Sequence, residues 1–158
     1  MGTTTAQAIS DPGTNFKELL QHQYAGLASQ RNDSAIDFLP ILRQFSLKDR
    51  QEIENFLQNP VAKQVLIHNE FLKVVLIRWA PYEECNLHGH ASRGCAFKVL
   101  HGAVEEKRYS TDHREELLSK STYFTGHIAY IDDVMGLHTV RNPRPEPAIT
   151  LHMYTPGM

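Results

Sequence analysis

The feature that most constrains this chain begins at Val61. From there, short runs rich in β-branched and aromatic residues alternate with turn residues: "KQVLIH", "FLKVVLIRWA", "GCAFKVLHG", "AVEEKRYS", "STYFT", "IAYID", "LHTVRN" and "AITLHMYT". Asn69-Glu70, Pro81, Gly102, Gly126, Gly136 and the turn "NPRPEP" punctuate them. Runs this short, bounded by Gly and Pro, read as about eight strands, and strands at this spacing suggest a sandwich or barrel, with a jelly roll as one form.

Ahead of Val61 the period is helical. In "TNFKELLQHQYAGLASQ", Phe16, Leu19, Leu20, Tyr24 and Leu27 recur at helical spacing behind Thr14 as a cap. "DSAIDFLPILRQF" reads as a second short helix with Pro40 in its first turn. "SLKDRQEIENFLQNP" reads as a third, capped by Ser46, with Asp49 at the capping-box position and Asn59-Pro60 as its end. Residues 1–13 are small and polar and are expected to be a disordered lead-in. One domain follows over 14–158, with a helical cap at 14–60 and a β-barrel at 61–158.

Composition removes several classes of function. Apolar residues make up 41% of the 158, enough for one core, and the net charge is −2 with no Lys/Arg block, so no nucleic-acid partner is expected. Apolar runs such as "VVLI" are too short to span a bilayer, so no membrane partner is expected either. The N-terminus lacks the features of a secretory signal, and Ala6 breaks the myristoylation pattern. Two cysteines do not make a disulfide framework, so a cytoplasmic chain with reduced thiols is expected. Nine histidines point instead to metal or acid–base chemistry.

The histidines concentrate meaning in "LHGHASRGCAFKVLHG". His88 and His90 are two residues apart, so extended backbone aims both imidazoles at one point, and neutral imidazole suits Fe, Zn, Cu and Ni. Surface or buried structural histidines are the alternative. The spacing H-x-H-x4-C-x6-G over His88, His90, Cys95 and Gly102 resembles the first cupin motif, with Cys95 where a Glu is usual. "GLHTVRN", with His138 and Asn142, resembles the end of the second. Tyr82 stands for the glycine that opens the first motif and Val134 for the proline of the second. The resemblance implies a mainly β fold, the cupin double-stranded β-helix or jelly-roll barrel with N-terminal helices, and a metal held by His88, His90 and His138. The usual acid is missing, since Asp132 and Asp133 read as turn residues. Three neutral ligands leave the ion its charge, which favours an anionic, soft ligand such as a thiolate and leaves positions for substrate and oxygen.

The ending "AYIDDVMGLHTVRNPRPEPAITLHMYTPGM" and the stretch "LIRWAPYEECNLHGHASRGC" closely resemble the cysteine dioxygenases, the thiol dioxygenase branch of the cupins, over roughly residues 61–158. That resemblance implies an Fe(II) enzyme that oxidises L-cysteine with O2 to cysteine sulfinic acid, acting as a monomer on a small thiol. It implies a thioether between Cys95 and Tyr154 and a relay from Thr150 through His152 to Tyr154. Cys95 as a fourth ligand of a structural zinc site, or as a small buried hydrophobe, remains open, as do core-packing roles for Tyr154 and His152. Trp79 is expected to pack, and Cys85 to be structural. The family's carboxylate-binding arginine falls on Lys63, its supporting tyrosine on Val61, with Gln64 adjacent. A lysine lacks the guanidinium fork, so Arg78 and Arg93 are further candidates for the carboxylate. The sister mercaptopropionate dioxygenases use a glutamine at the arginine position and commonly a glycine where Cys95 stands. Two alternatives follow: a dioxygenase for 3-mercaptopropionate or mercaptosuccinate, and a non-catalytic metal-binding cupin that senses or binds a ligand. No Gly-rich dinucleotide fingerprint is present.

Overall fold

Eight antiparallel strands form two sheets in a computed structural model that describes residues 18, 20–47, 49–89, 91–132 and 134–156. The strands are β1 (Lys63–His68), β2 (Lys73–Trp79), β3 (Cys95–His101), β4 (Ala103–Tyr109), β5 (Leu117–Phe124), β6 (Ile128–Ile131), β7 (Leu137–Arg141) and β8 (Ala148–Tyr154). The order is β1-β2-β8-β3-β6 in the larger sheet and β5-β4-β7 in the smaller. Strand β5 starts earlier than "STYFT" suggests. Its first half, "LLSK", is an exposed edge without alternation, and pairing with β4 rather than pattern makes it a strand.

The larger sheet is covered on both faces, which explains the nearly unbroken burial of β2, β3 and β8. Its inner face packs against the smaller sheet through Val75, Ile77, Trp79, Phe97, Val99, Val104 and Val140. Its outer face carries Leu66, Val74, Leu76, Ala96, Leu100, Ile149, Leu151 and Met153, which pack beneath Leu20, Tyr24, Phe38, Leu42 and Phe56 of the N-terminal segments. Residues thus alternate between two cores: along β8, Thr150, His152 and Tyr154 face inward while Ile149, Leu151 and Met153 face the helices.

The helical third differs from expectation in detail. Residues 20–24 are helical with Leu20 and Tyr24 buried, whereas Thr14, Phe16, Leu19 and the lead-in 1–13 lie outside the described residues. The second helix is a 3-10 turn, Ala35–Phe38, running into the short helix Leu39–Leu42, with Ser34 as its cap and Pro40 near the junction. The third spans Arg50–Gln58. Its cap is Asp49, not Ser46, because Asp49 Oδ1 accepts the Glu52 amide at 2.8 Å.

Two cations on the outer face of the sheet bind the ends of these helices. Lys98 Nζ donates to the Leu42 and Arg43 carbonyls at 3.2 and 3.0 Å. Arg78 donates to the Leu57 and Asn59 carbonyls at the end of Arg50–Gln58. Both satisfy carbonyls that a terminating helix leaves without partners.

Candidate active site

His88 and His138 are brought together by backbone pairing. Their amides and carbonyls exchange hydrogen bonds, at 3.2 Å from His88 and 3.1 Å from His138, in an antiparallel bridge that ties the loop before β3 to β7. Directly opposed residues put their side chains on one face. Gly136 makes this approach possible: at φ +120° it lies where a Cβ would come 2.5 Å from the Tyr109 carbonyl oxygen, so only glycine fits before Leu137-His138.

Each ring is oriented through its Nδ1. That of His88 lies 2.7 Å from the Asn86 carbonyl and that of His138 lies 2.7 Å from Glu106 Oε2. Both acceptors call for a proton on Nδ1, which leaves a lone pair on each Nε2. The two Nε2 atoms are 2.9 Å apart. Two facing lone pairs at this distance repel unless a positive centre lies between them. Two imidazoles holding one ion at about 2.1 Å and near a right angle would bring their nitrogens to about 3 Å, so the pair fits a divalent metal. Burial lowers the His88 pKa, as do the charges of His138 and Lys63, against the Asn86 carbonyl. That keeps the ring in the neutral form a metal needs. His90, the remaining expected ligand, lies outside the described residues, as does Asp133.

Glu106 is the residue the sequence did not reveal. It is 1% exposed, holds His138, accepts from Arg108 Nε at 2.8 Å and from the Tyr123 hydroxyl at 3.2 Å. Burial pushes its carboxyl pKa up, and the hydrogen bonds from His138 and Arg108 outweigh burial and hold it below the usual range. A carboxylate fixing a ligand histidine from behind is a common support of metal sites. Val104, Glu106 and Arg108 share one face of β4, but a carboxylate in mid-strand reads by default as solvent-facing. Asp132, by contrast, is the turn residue expected: its Oδ1 accepts the Val134 and Met135 amides.

Cys95 and Tyr154 face each other in the β3–β8 register, and the Tyr154 hydroxyl donates to the Cys95 sulfur. Burial raises both pKa values, so both groups are neutral. On the same face, Trp79 Nε1 donates to Thr150 Oγ1 at 2.7 Å, and Thr150 Oγ1 lies 2.7 Å from His152 Nε2. Because Trp79 can only donate, the Thr150 hydroxyl is free to donate to His152. Burial, with the charges of His138, His88 and Lys63, lowers the His152 pKa to about 3, so this ring stays neutral. It stacks on Tyr154 with ring centroids 6.2 Å apart. Trp79 therefore does more than pack. Cys85 also has partners: its sulfur accepts the Val140 amide and lies 3.9 Å from His88 Nδ1.

The three candidates for the substrate carboxylate separate. Lys63 lines a cavity of about 260 Å3 together with Tyr154, Val75, Ile77 and Ala91. Arg78 lines an adjoining cavity of about 300 Å3 together with Lys63, but its guanidinium is engaged by the helix end described above. Arg93 lies on a different cavity, of about 380 Å3, with Asp33, Ser34 and Tyr130. Alternation along β2 is what separates Arg78 from the inner face, because Ile77 and Trp79 face inward.

Residues 42–158 match the model of the family described as cysteine dioxygenase type I. Cysteine dioxygenase type 1 of Rattus norvegicus is 31% identical over 93 residues, covering 56% of this chain and 46% of the rat protein. The Homo sapiens counterpart is 30% identical over the same length and shares. The match thus spans less than half the length of these curated relatives. Among solved structures, a Bacillus halodurans protein superposes with TM-score 0.56 at 20% identity, covering 73% of this chain and 84% of its own. A double-stranded β-helix protein from Klebsiella pneumoniae gives TM-score 0.51 at 19% identity, covering 73% and 87%. These two likenesses concern the fold, which is the jelly-roll barrel expected from the sequence.

Proposed function

This chain belongs to the cysteine dioxygenase type I family, and on that premise we propose that it is an iron(II) thiol dioxygenase that oxidises a small thiol carboxylic acid to a sulfinic acid. The observation that carries the reading is the facing pair of Nε2 lone pairs on His88 and His138, one of them fixed by Glu106, with Cys95 and Tyr154 paired on the larger sheet that packs against the strand of His138. Iron held by His88, His90 and His138 would supply the redox chemistry that joins dioxygen to a thiolate sulfur. Both oxygen atoms end on sulfur, which supplies the four electrons, so no further reductant is needed.

The protein's own groups define the rest. Burial keeps His88 neutral, and Glu106 holds His138 with its Nε2 toward the metal. Tyr154 stays protonated and offers a hydroxyl proton at the cavity wall, to Cys95 in the resting site and to a bound carboxylate or oxygen when substrate is present. His152, kept neutral and anchored by Thr150 and Trp79, fixes the stacked Tyr154 ring. The register of Cys95 and Tyr154 supports the thioether implied by the family resemblance. Lys63 supplies the positive charge for a carboxylate.

The name of the curated relatives makes L-cysteine the first thiol to test. Oxygen consumption by the iron-loaded protein, with the product identified by mass, is the experiment. Uptake with two oxygen atoms added to the thiol is the expected result. Absence of uptake with L-cysteine, 3-mercaptopropionate and mercaptosuccinate, on protein shown by metal analysis to hold iron, would overturn the reading in favour of a ligand-binding cupin.

A further inference from the structure

A second lysine shares the cavity. Lys73 opens β2 opposite Tyr154, so Lys73, Tyr154 and Cys95 lie abreast on β2, β8 and β3. Its side chain lines the same 260 Å3 cavity as Lys63 and Tyr154. Among the described residues no carboxylate lines this cavity. Neither ammonium has a hydrogen-bond or ion-pair partner among the described residues. Glu83 and Glu84 lie beyond Lys63 on an adjoining cavity of about 300 Å3 without reaching ion-pair distance of it.

The two lysines are set apart along the cavity. Lys63 pairs with Ile77, four residues along β2 from Lys73, which places the two positions roughly 13 Å apart at the rise of a strand. Lys63 is at the metal end, where its charge acts on His88, His152 and Cys85. Lys73 is at the Tyr154 end. One carboxylate can neutralise one of these ammonium groups. A ligand with two anionic groups reaches both, gaining two charge-assisted hydrogen bonds and relieving the repulsion between two like charges on one cavity. The zwitterion of an amino acid fits less well, because the described lining residues include no carboxylate to receive its ammonium group.

We propose that this cavity selects thiols bearing two anionic groups, of which a thiol dicarboxylate is the simplest, with one carboxylate on Lys63 and the other on Lys73. The proposal rests on the thiol dioxygenase reading for its thiol and on the two lysines for its second charge. The two are tested separately. Succinate and propionate, which lack a thiol, are titrated into the protein by calorimetry. Succinate is expected to bind at least tenfold tighter, the difference is expected to vanish in Lys73→Met, and Lys73→Arg is expected to keep it. On iron-loaded protein, the kcat/KM ratio of mercaptosuccinate to 3-mercaptopropionate, which differ by one carboxylate, is expected to exceed one and to fall at least tenfold in Lys73→Met. Equal affinity for succinate and propionate, or a selectivity ratio unmoved by Lys73→Met in folded protein, would overturn the proposal. A succinate preference that depends on Lys73, with no thiol oxidised, would uphold the dianion site and sink the dioxygenase reading. Thiol oxidation without any preference for the second carboxylate would do the reverse.

Discussion

The two faces of the larger sheet carry basic residues under opposite conditions. On the outer face, Lys98 is 5% exposed and donates to two carbonyls at the end of one helix, while Arg78 does the same for another. On the inner face, Lys63 and Lys73 line a cavity with no protein partner among the described residues. Outer-face cations hold the cap on the barrel, and inner-face cations await a ligand. The smaller sheet across the core differs from that inner face, because the groups around its buried carboxylate are all partnered: His138, Glu106, Arg108 and Tyr123 satisfy one another. A charge with every partner built in serves the fold or fixes a ligand in place, whereas a charge left without one on a cavity wall is free for binding.

The division predicts different costs of substitution. Glu106→Ala carries the largest. It strips the buried His138 and the nearly buried Arg108 of their shared carboxylate, and removing one partner of a buried charged set costs about 3–5 kcal/mol. Chemical denaturation is expected to read that loss. On the proposed role of His138 as an iron ligand, losing the carboxylate behind it is also expected to weaken iron binding by about 10–100-fold in a metal titration. A variant of wild-type stability would show that this partnered cluster on the smaller sheet serves neither the fold nor the orientation of His138.

Lys98→Met comes next. It removes the ammonium group but keeps most of the apolar stem, leaving the Leu42 and Arg43 carbonyls without their donor. Charge-assisted hydrogen bonds of this kind are worth about 1.5–3 kcal/mol each, and the relief of a buried charge offsets part of that. A net loss of about 1–3 kcal/mol in urea denaturation is expected. If the variant were as stable as the parent, Lys98 would be no clasp, and the contrast between the faces would rest on Arg78 alone.

Much of this was legible in the sequence, for reasons that also mark the limit. The strands were recognisable because Gly102, Gly126, Gly136 and the proline-rich turn interrupt short β-rich runs, and because "GLH" needs a glycine where the backbone passes Tyr109. The phase of "FLKVVLIRWA" was not recognisable. Apolar on both faces, it gives no alternation to tell that Arg78 faces the helices and Lys73 faces the cavity; only pairing with β8 decides. Glu106 was hidden for a related reason. Its partner His138 is 32 residues away, and no local pattern distinguishes a mid-strand carboxylate that meets a histidine from one that meets water. Ser46 looked like a cap because a Ser three residues before an acidic residue matches the capping box, yet Asp49 with Glu52 matches it as well and lies next to the helix.

Lys63→Met is the smallest expected change in stability and the sharpest test of the contrast. Lys63 is exposed on the edge strand of the sheet, and removing it leaves no acceptor unsatisfied among the described residues. Surface substitutions without such partners stay within about 0.5 kcal/mol, so urea midpoints of variant and parent should nearly coincide. Binding should respond quite differently. A carboxylate that loses the Lys63 ammonium should bind at least tenfold more weakly, read as KM with a thiol acid or as the affinity for propionate, with Lys63→Arg restoring much of the loss. A variant that lost stability but kept its affinity would make Lys63 a structural clasp like Lys98, and the two faces of the sheet would no longer differ in kind.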